Sequence, residues 1–284
     1  GAADTRFAGD IHKDVVIEFR DHGVTVARLS KADLLARLPS FEKRIYEYLE
    51  DGQEKDGSTP ENPQAWVTFG LLPAGRVLDL AYGASWRKGG KILFTCVDNY
   101  KPVVPVSRFL EQDGLFAVYR ASDPSFRLRN RADGNKIVPL GPLYLTWDRM
   151  EDPAVLKDGK ISIPYQIMGV NLVDEDYGKL AVSADASQPA KRGAQAFERY
   201  CSRCHQISGD GRGERGADLT FAAERYAGRE GVLAQKIRDP RIQVPDSTMT
   251  PLTATIADPA ELDGTIDDVI AFLKQAAQEA RAPR

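Results

Sequence analysis

Five consecutive residues, Cys201-Ser202-Arg203-Cys204-His205, bring two thiols and an imidazole together in a chain of 284 residues that has only three cysteines and three histidines. The spacing sets the thiols one helical turn apart, so each can form a thioether with a vinyl group on the same edge of a porphyrin. The histidine that follows then falls beneath the iron as its proximal ligand. A Cys-x-x-Cys pair also suits a thioredoxin-like thiol couple or half of a zinc site. Zinc would want a second ligand pair, and no other Cys or His occurs from residue 190 onward. The pentad therefore reads as a c-type haem attachment site, with Cys201 and Cys204 as thioethers and His205 as an axial ligand. Met249 is the candidate for the opposite side of the iron. It is the only methionine in this part of the chain and follows His205 by 44 residues. A thioether there favours ferrous iron and raises the potential. The competing reading of Met249 is a core side chain, with His12, His22, Met168 or a lysine binding from elsewhere.

The flanking sequence supplies elements to position these groups. Gly193, Phe197, Tyr200 and Cys201 fall along one face of a helix that runs into the pentad, with Ser187 and Pro189 at its start. Leu262, Ile266, Val269, Ile270 and Leu273, with Phe272 beside them, form a second apolar stripe. Asp258-Pro259-Ala260-Glu261 offers that helix a cap, a first-turn proline and a capping-box acid. Gly264 interrupts the pattern, which leaves Thr265 as an alternative cap. Val232 to Ile237 reads as a helix between the two.

These features resemble the class I cytochrome c fold, in which the terminal helices cross; Gly193 would permit close approach to the region of Phe272. Gly209-Asp210-Gly211 is similar to that family's glycine-rich loop, and Gly216-Ala217-Asp218-Leu219 to its G-P-x-L segment. The resemblance implies a haem pocket that includes Ala217 and Leu219. It also implies a hydrogen bond from the proximal histidine to the carbonyl at position 217, where this sequence has Ala instead of Pro. In Pro245-Asp246-Ser247-Thr248-Met249-Thr250-Pro251, Thr250 separates a methionine and a proline that are adjacent in the family.

The length suits two domains. The segment from Lys179 to Arg192 is small and polar and reads as a linker running into a helix start. The expected division is residues 1–178, an α+β domain with a mixed sheet and helices, and residues 193–284, an all-α domain with one haem. Before the linker, Val15 to Phe19 and Val24 to Leu29 alternate like strands around a turn at Asp21-His22-Gly23. Ser30 with Asp33 forms a helix-start box ahead of Leu34, Leu35 and Leu38. Further β-like runs lie at Ile92–Val97, Leu115–Tyr119, Leu143–Trp147 and Ile161–Val173. Residues 51–63 (DGQEKDGSTPENP) read as an exposed loop.

Phe69-Gly70-Leu71-Leu72-Pro73 to Leu80, then Ile92 to Tyr100 and Pro105-Val106, resemble the molybdopterin-binding oxidoreductase domain of the sulfite oxidase kind. Asp98-Asn99-Tyr100 stands where that family has "DGY". Gly141 to Trp147 and Pro164-Tyr165-Gln166 resemble shorter members fused to cytochromes, and the likeness covers roughly residues 14–178. It implies a cysteine thiolate on molybdenum, yet no cysteine precedes Cys96. Cys96 itself lies in a β-like run and reads as a small buried apolar residue. Arg127, Arg129 and Arg131 offer charges for a pterin phosphate, but alternate arginines also suit an exposed strand. The expectation is the fold without molybdopterin.

The net charge is −3, and residues 190–284 carry 14 basic and 14 acidic side chains, which argues against a nucleic-acid partner. No apolar run approaches the roughly 18 residues of a transmembrane segment. The chain opens Gly1-Ala2-Ala3-Asp4 without a basic-then-apolar leader. Either it lacks an export signal or a signal has been removed; the haem motif favours the second and a periplasmic location. The leading expectation is a carrier of single electrons between redox partner proteins, with no catalytic residues of its own. The alternative is a molybdopterin-dependent oxidoreductase with the haem as internal relay. A haem sensor would need an open sixth position, against which Met249 argues.

Overall fold

The computed structural model describes residues 4–47, 58–62, 65–156, 162–211 and 213–282. Its contacts separate two units. One comprises Gly1–Asp98, Pro102–Arg131 and Asn135–Tyr177; the other comprises Gly178–Arg284 with two short upstream segments, Asn99–Lys101 and Ala132–Gly134. The first is mixed α/β and the second is helical.

In the first unit the chain runs through β1 (Val16–Asp21), β2 (Val24–Ser30), α1 (Lys31–Arg37), β3 (Phe41–Tyr46), β4 (Trp66–Pro73), α2 (Ala74–Tyr82), β5 (Lys91–Cys96) and β6 (Val103–Pro105). It continues through α3 (Val106–Glu111), β7 (Gly114–Arg120), β8 (Arg127–Asn130), β9 (Lys136–Pro139), β10 (Tyr144–Trp147), α4 (Pro153–Leu156) and β11 (Ile167–Val173). Five strands form one sheet in the order β2-β1-β11-β5-β6, and four form a second in the order β10-β7-β4-β3. Among the described strands of these two sheets, β1 and β11 pair in parallel and the other pairs are antiparallel. All seven residues of β7 are buried, as a central strand covered on both faces requires. Around it Phe94, Phe109, Phe116, Trp86 and Trp147 meet in edge-on and tilted pairs at 5.0–6.4 Å.

Local chemistry explains several of these elements. The β1–β2 turn has φ of 48° at His22 and 84° at Gly23, the left-handed pair whose twist matches the flanking strands. Ser30 caps α1 in a reciprocal box with Asp33, as its sequence anticipates. The β-like run over Ile161–Val173 is shorter in the structure. Residue 161 lies outside the described residues, and residues 162–166 pair in no strand. Pro164 has no N–H for a ladder, and its carbonyl accepts instead from Leu145 N–H at 2.9 Å.

Of the loop expected at 51–63, residues 51–57 and 63 lie outside the described residues, and the remainder is not simply exposed. Ser58 is 2% exposed because fully buried Arg120 needs acceptors; its Nη2 donates to Ser58 Oγ at 2.6 Å.

The second unit contains α5 (Gln188–Tyr200), a short hairpin of β12 (Gln206–Ile207) and β13 (Asp210–Gly211), α6 (Ala222–Arg225), α7 (Glu230–Arg238) and α8 (Pro259–Arg281). Ser187 caps α5 by accepting from Ala190 N–H, so the last five residues of the expected linker already belong to the helix. Asp258 caps α8 by accepting from Glu261 N–H at 2.9 Å. The helix passes unbroken through Gly264, so Thr265 is not its start.

Helices α5 and α8 cross at Gly193. A Cβ there would lie 1.9 Å from Asp268 O and 2.7 Å from Phe272 Cβ. Beside that contact Phe197 and Phe272 meet edge-on at 5.5 Å, and both are buried with Val269, Leu273 and Ala276. Changing Gly193 to Ala forces the two backbones apart. The expected cost is about 1–3 kcal/mol, the range for overpacking, read as a lower denaturant midpoint of the C-terminal transition. An unchanged midpoint would show that the crossing tolerates a side chain.

Candidate functional site

The pentad begins where α5 ends. Cys201 N–H and Ser202 N–H both donate to Phe197 O, at 2.8 and 2.9 Å. Cys204 N–H and His205 N–H both donate to Cys201 O, at 3.1 and 2.8 Å. The helix therefore tightens into a closed turn that carries both thiols and the imidazole. Ser202 turns inward and is fully buried, whereas Cys201 rests half-buried on the core cluster. That desolvation, with Cys204 adding to it, pushes the Cys201 thiol up to about 12. A raised thiol pKa disfavours the thiolate that a thioredoxin-like couple uses.

The loop after the pentad lies flat against it. A Cβ on Gly213 would fall 1.8 Å from Arg203 O, and one on Gly216 would fall 2.3 Å from His205 Cε1. Gly213 N–H donates to Ser202 O at 3.0 Å, and Gly216 N–H to Cys204 O at 2.7 Å. Only glycine lets the loop approach the ring so closely. His205 Nδ1–H donates to Ala217 O at 2.8 Å. A carbonyl can only accept, so the proton sits on Nδ1 and the lone pair on Nε2.

Asp218 secures this arrangement. Burial would raise its pKa, but hydrogen bonds from Thr220 and from the backbone N–H groups of Gly209 and Ser208 outweigh that and hold it below the usual carboxylate range. Leu219 is half-buried and packs on the core, and Ala217 is exposed. Met249 lies half-buried in the loop between the short helical turns Pro240–Ile242 and Leu252–Ala254. Its N–H donates to Ser247 Oγ at 3.2 Å. It is not among the residues of the core cluster or those packed against it.

Residues 190–277 match the family model of cytochrome c. The C-terminal region is thus a cytochrome c domain, a fold that implies haem c and haem-based electron transfer. Against curated proteins the chain has no match. No helix among the described residues is long and apolar enough to cross a membrane.

The chemistry of the cytochrome c domain fits the group. Its two neighbouring cysteines form no disulfide, its imidazole has Nε2 free to ligate, and glycines clear the space around that ring. Tyr100 and Lys101, missed in the sequence, contact the same turn. Arg203 Nη1 donates to Tyr100 Oη at 3.1 Å, and Lys101 N–H donates to Arg203 O at 3.1 Å. Nothing local in the sequence signals contacts across about a hundred residues.

In the first unit Cys96 is 2% exposed on β5, opposite Ile167 of β11. Arg127 pairs with Asp123 at 3.1 Å and with Glu61 at 3.4 Å. Arg129 donates to the carbonyls of Pro60 and Asn135. A cavity of about 510 Å³ in this unit is lined by residues including Trp86, Arg87, Phe109 and Asp148, but not by Cys96 or the three arginines. Cys96→Ser puts a polar group at a buried position and should cost about 1–3 kcal/mol, while the visible spectrum of the holoprotein stays as in the parent. A changed spectrum, or loss of a second metal, would give Cys96 a chemical role.

Proposed function

We propose that this protein is an exported, periplasmic carrier of single electrons. On this reading residues 193–284 form a mono-haem domain joined by residues 179–192 to a sulfite-oxidase-like domain at residues 1–178, which lacks molybdopterin and serves in docking or haem positioning. Cys201 and Cys204 hold the haem by thioethers, and His205 and Met249 are its axial ligands. Ala217 and Leu219 line the pocket.

The observation that carries the proposal is the tautomer of His205. With Nδ1–H committed to Ala217 O at 2.8 Å, Nε2 is presented as a donor from a ring that cannot rotate freely. A neutral carbonyl partner fixes the ring without giving it the anionic character that a carboxylate would lend. The bound group would supply the ferric–ferrous couple. The residues of the chain hold it, exclude a competing ligand on the Met249 side and move no proton.

The exposed surface of the Met249 loop supports transient partners. Ile242 is 59% and Val244 is 49% exposed, an apolar rim in the region 190–284, whose 14 basic and 14 acidic side chains balance. Export accords with thioether attachment, which in bacteria takes place outside the cytoplasm.

Acid–acetone should leave the haem on the protein, and exchanging Cys201 and Cys204 for Ala should abolish that retention. Unaltered haem content in the double variant would overturn the attachment. Metal analysis separates carrier from enzyme: one iron and no molybdenum per chain is expected, and stoichiometric molybdenum would establish the enzyme reading.

Met249 is tested spectroscopically. The ferric parent should show the weak near-infrared sulfur-to-iron band. Met249→Ala should abolish it, lower the potential and speed cyanide binding. A high-spin ferric parent would mean that Thr250 swings the thioether away and that the iron is five-coordinate, which favours sensing.

A further inference from the structure

Arg203 lies within the pentad, next to Cys204 and two residues before His205, and its surroundings are unusual for a cation. It is half-buried, and among the described residues no carboxylate lies within ion-pair distance of it. Its guanidinium instead donates to the neutral Tyr100 Oη at 3.1 Å. A guanidinium stays protonated in any protein environment, so the charge is permanent.

Tyr100 belongs to the tripeptide Asn99–Lys101, which is part of the same unit as the pentad. Lys101 N–H donates to Arg203 O at 3.1 Å, and Glu214 N–H donates to Asn99 O at 3.4 Å. Asn99 has φ of 66°, a left-handed conformation that Asn tolerates better than most residues. The turn made by Asn99 delivers both the phenol and the Lys101 N–H to one residue of the pentad. Gly213 closes the other side, since a Cβ there would strike Arg203 O.

We infer that Arg203 sets the reduction potential of the haem site and that Tyr100 is the positioning residue that keeps its charge there. The inference rests on the haem reading above. Reduction removes one positive charge from the iron, so a fixed, uncompensated cation nearby favours the reduced state. A carboxylate partner would cancel that effect, whereas a phenol holds the guanidinium without neutralising it. The partial burial of Arg203 weakens solvent screening of the interaction.

The test uses the full chain and redox potentiometry. Arg203→Gln should disfavour reduction by roughly tenfold in the equilibrium constant, the scale on which one partly screened charge acts. Arg203→Lys, which keeps the charge, should recover most of the shift. Tyr100→Phe should shift the potential in the same direction by less and make it more dependent on ionic strength. In the haem-free chain, Tyr100→Phe should also speed hydrogen exchange at the Lys101 and Glu214 amides.

A holo Arg203→Gln protein at the parent potential overturns the inference. Should that variant attach no haem, Tyr100→Phe, which leaves the pentad intact, decides on its own, and an unchanged potential and exchange pattern count against the pair. A parent without covalent haem overturns the functional reading itself. A holo parent with unresponsive variants overturns this inference alone.

Discussion

The cytochrome c domain depends on the contact at Gly193, where two helices meet backbone to backbone. Helix α5 has 13 residues, a length at which an isolated helix is marginal in water. Its Ser187 cap contributes about 1 kcal/mol. The pair between Arg192 and Asp268 at 2.9 Å has an arginine 58% exposed, and solvent screening leaves such pairs little weight. Burial outweighs both. Phe197, Phe272 and Leu273 are almost wholly inaccessible, and each such side chain is worth about 1.5–3 kcal/mol. Those residues interlock only because position 193 has no side chain. The pentad begins one residue after α5 ends, so the direction of its thiols follows from that crossing.

The legible parts of this chain were those where chemistry is local. The pentad, the Ser30–Asp33 box, the Asp258 cap and the His22–Gly23 turn each lie within a few residues, and their reach is a few bonds. The α5 and α8 stripes were legible because a helix repeats its burial pattern over several turns. The sheets were harder to read. The order β2-β1-β11-β5-β6 joins strands about 150 residues apart, and no single strand carries a signal naming its neighbours. Ser58 illustrates the same limit: its stretch is polar, yet it is buried because Arg120, 62 positions away, needs an acceptor. Tyr100 and Arg203 were invisible as a pair for the same reason.

Residues of the first unit that the sequence offered for chemistry have structural partners or burial in the fold. Cys96 faces the interior beside β11, where a thiol is a small apolar group rather than an accessible ligand. Arg127 has carboxylate partners, and Arg129 serves two carbonyls. A phosphate seeking the Arg127 guanidinium would have to displace an acid already in place. These arginines tie β8 to the residues at 60–61, 123 and 135.

Replacing the expected proline by Ala217 raises the question of what keeps the carbonyl aimed at His205. A proline ring would do so by restricting φ; here the restraint comes from hydrogen bonds on both sides. Immediately before Ala217, Gly216 N–H donates to Cys204 O at 2.7 Å. Two residues after it, Leu219 N–H donates to Gln206 O at 2.8 Å. Between these anchors Asp218 accepts from the backbone of Gly209 and from both the N–H and hydroxyl of Thr220. The segment around position 217 is thus tied to the residues that flank His205 on its own strand of chain. Any movement of the carbonyl carries the imidazole with it. Rigidity that a ring would provide in one residue is distributed over Cys204, Gln206, Gly209 and Thr220, and the histidine keeps a fixed partner without the proline.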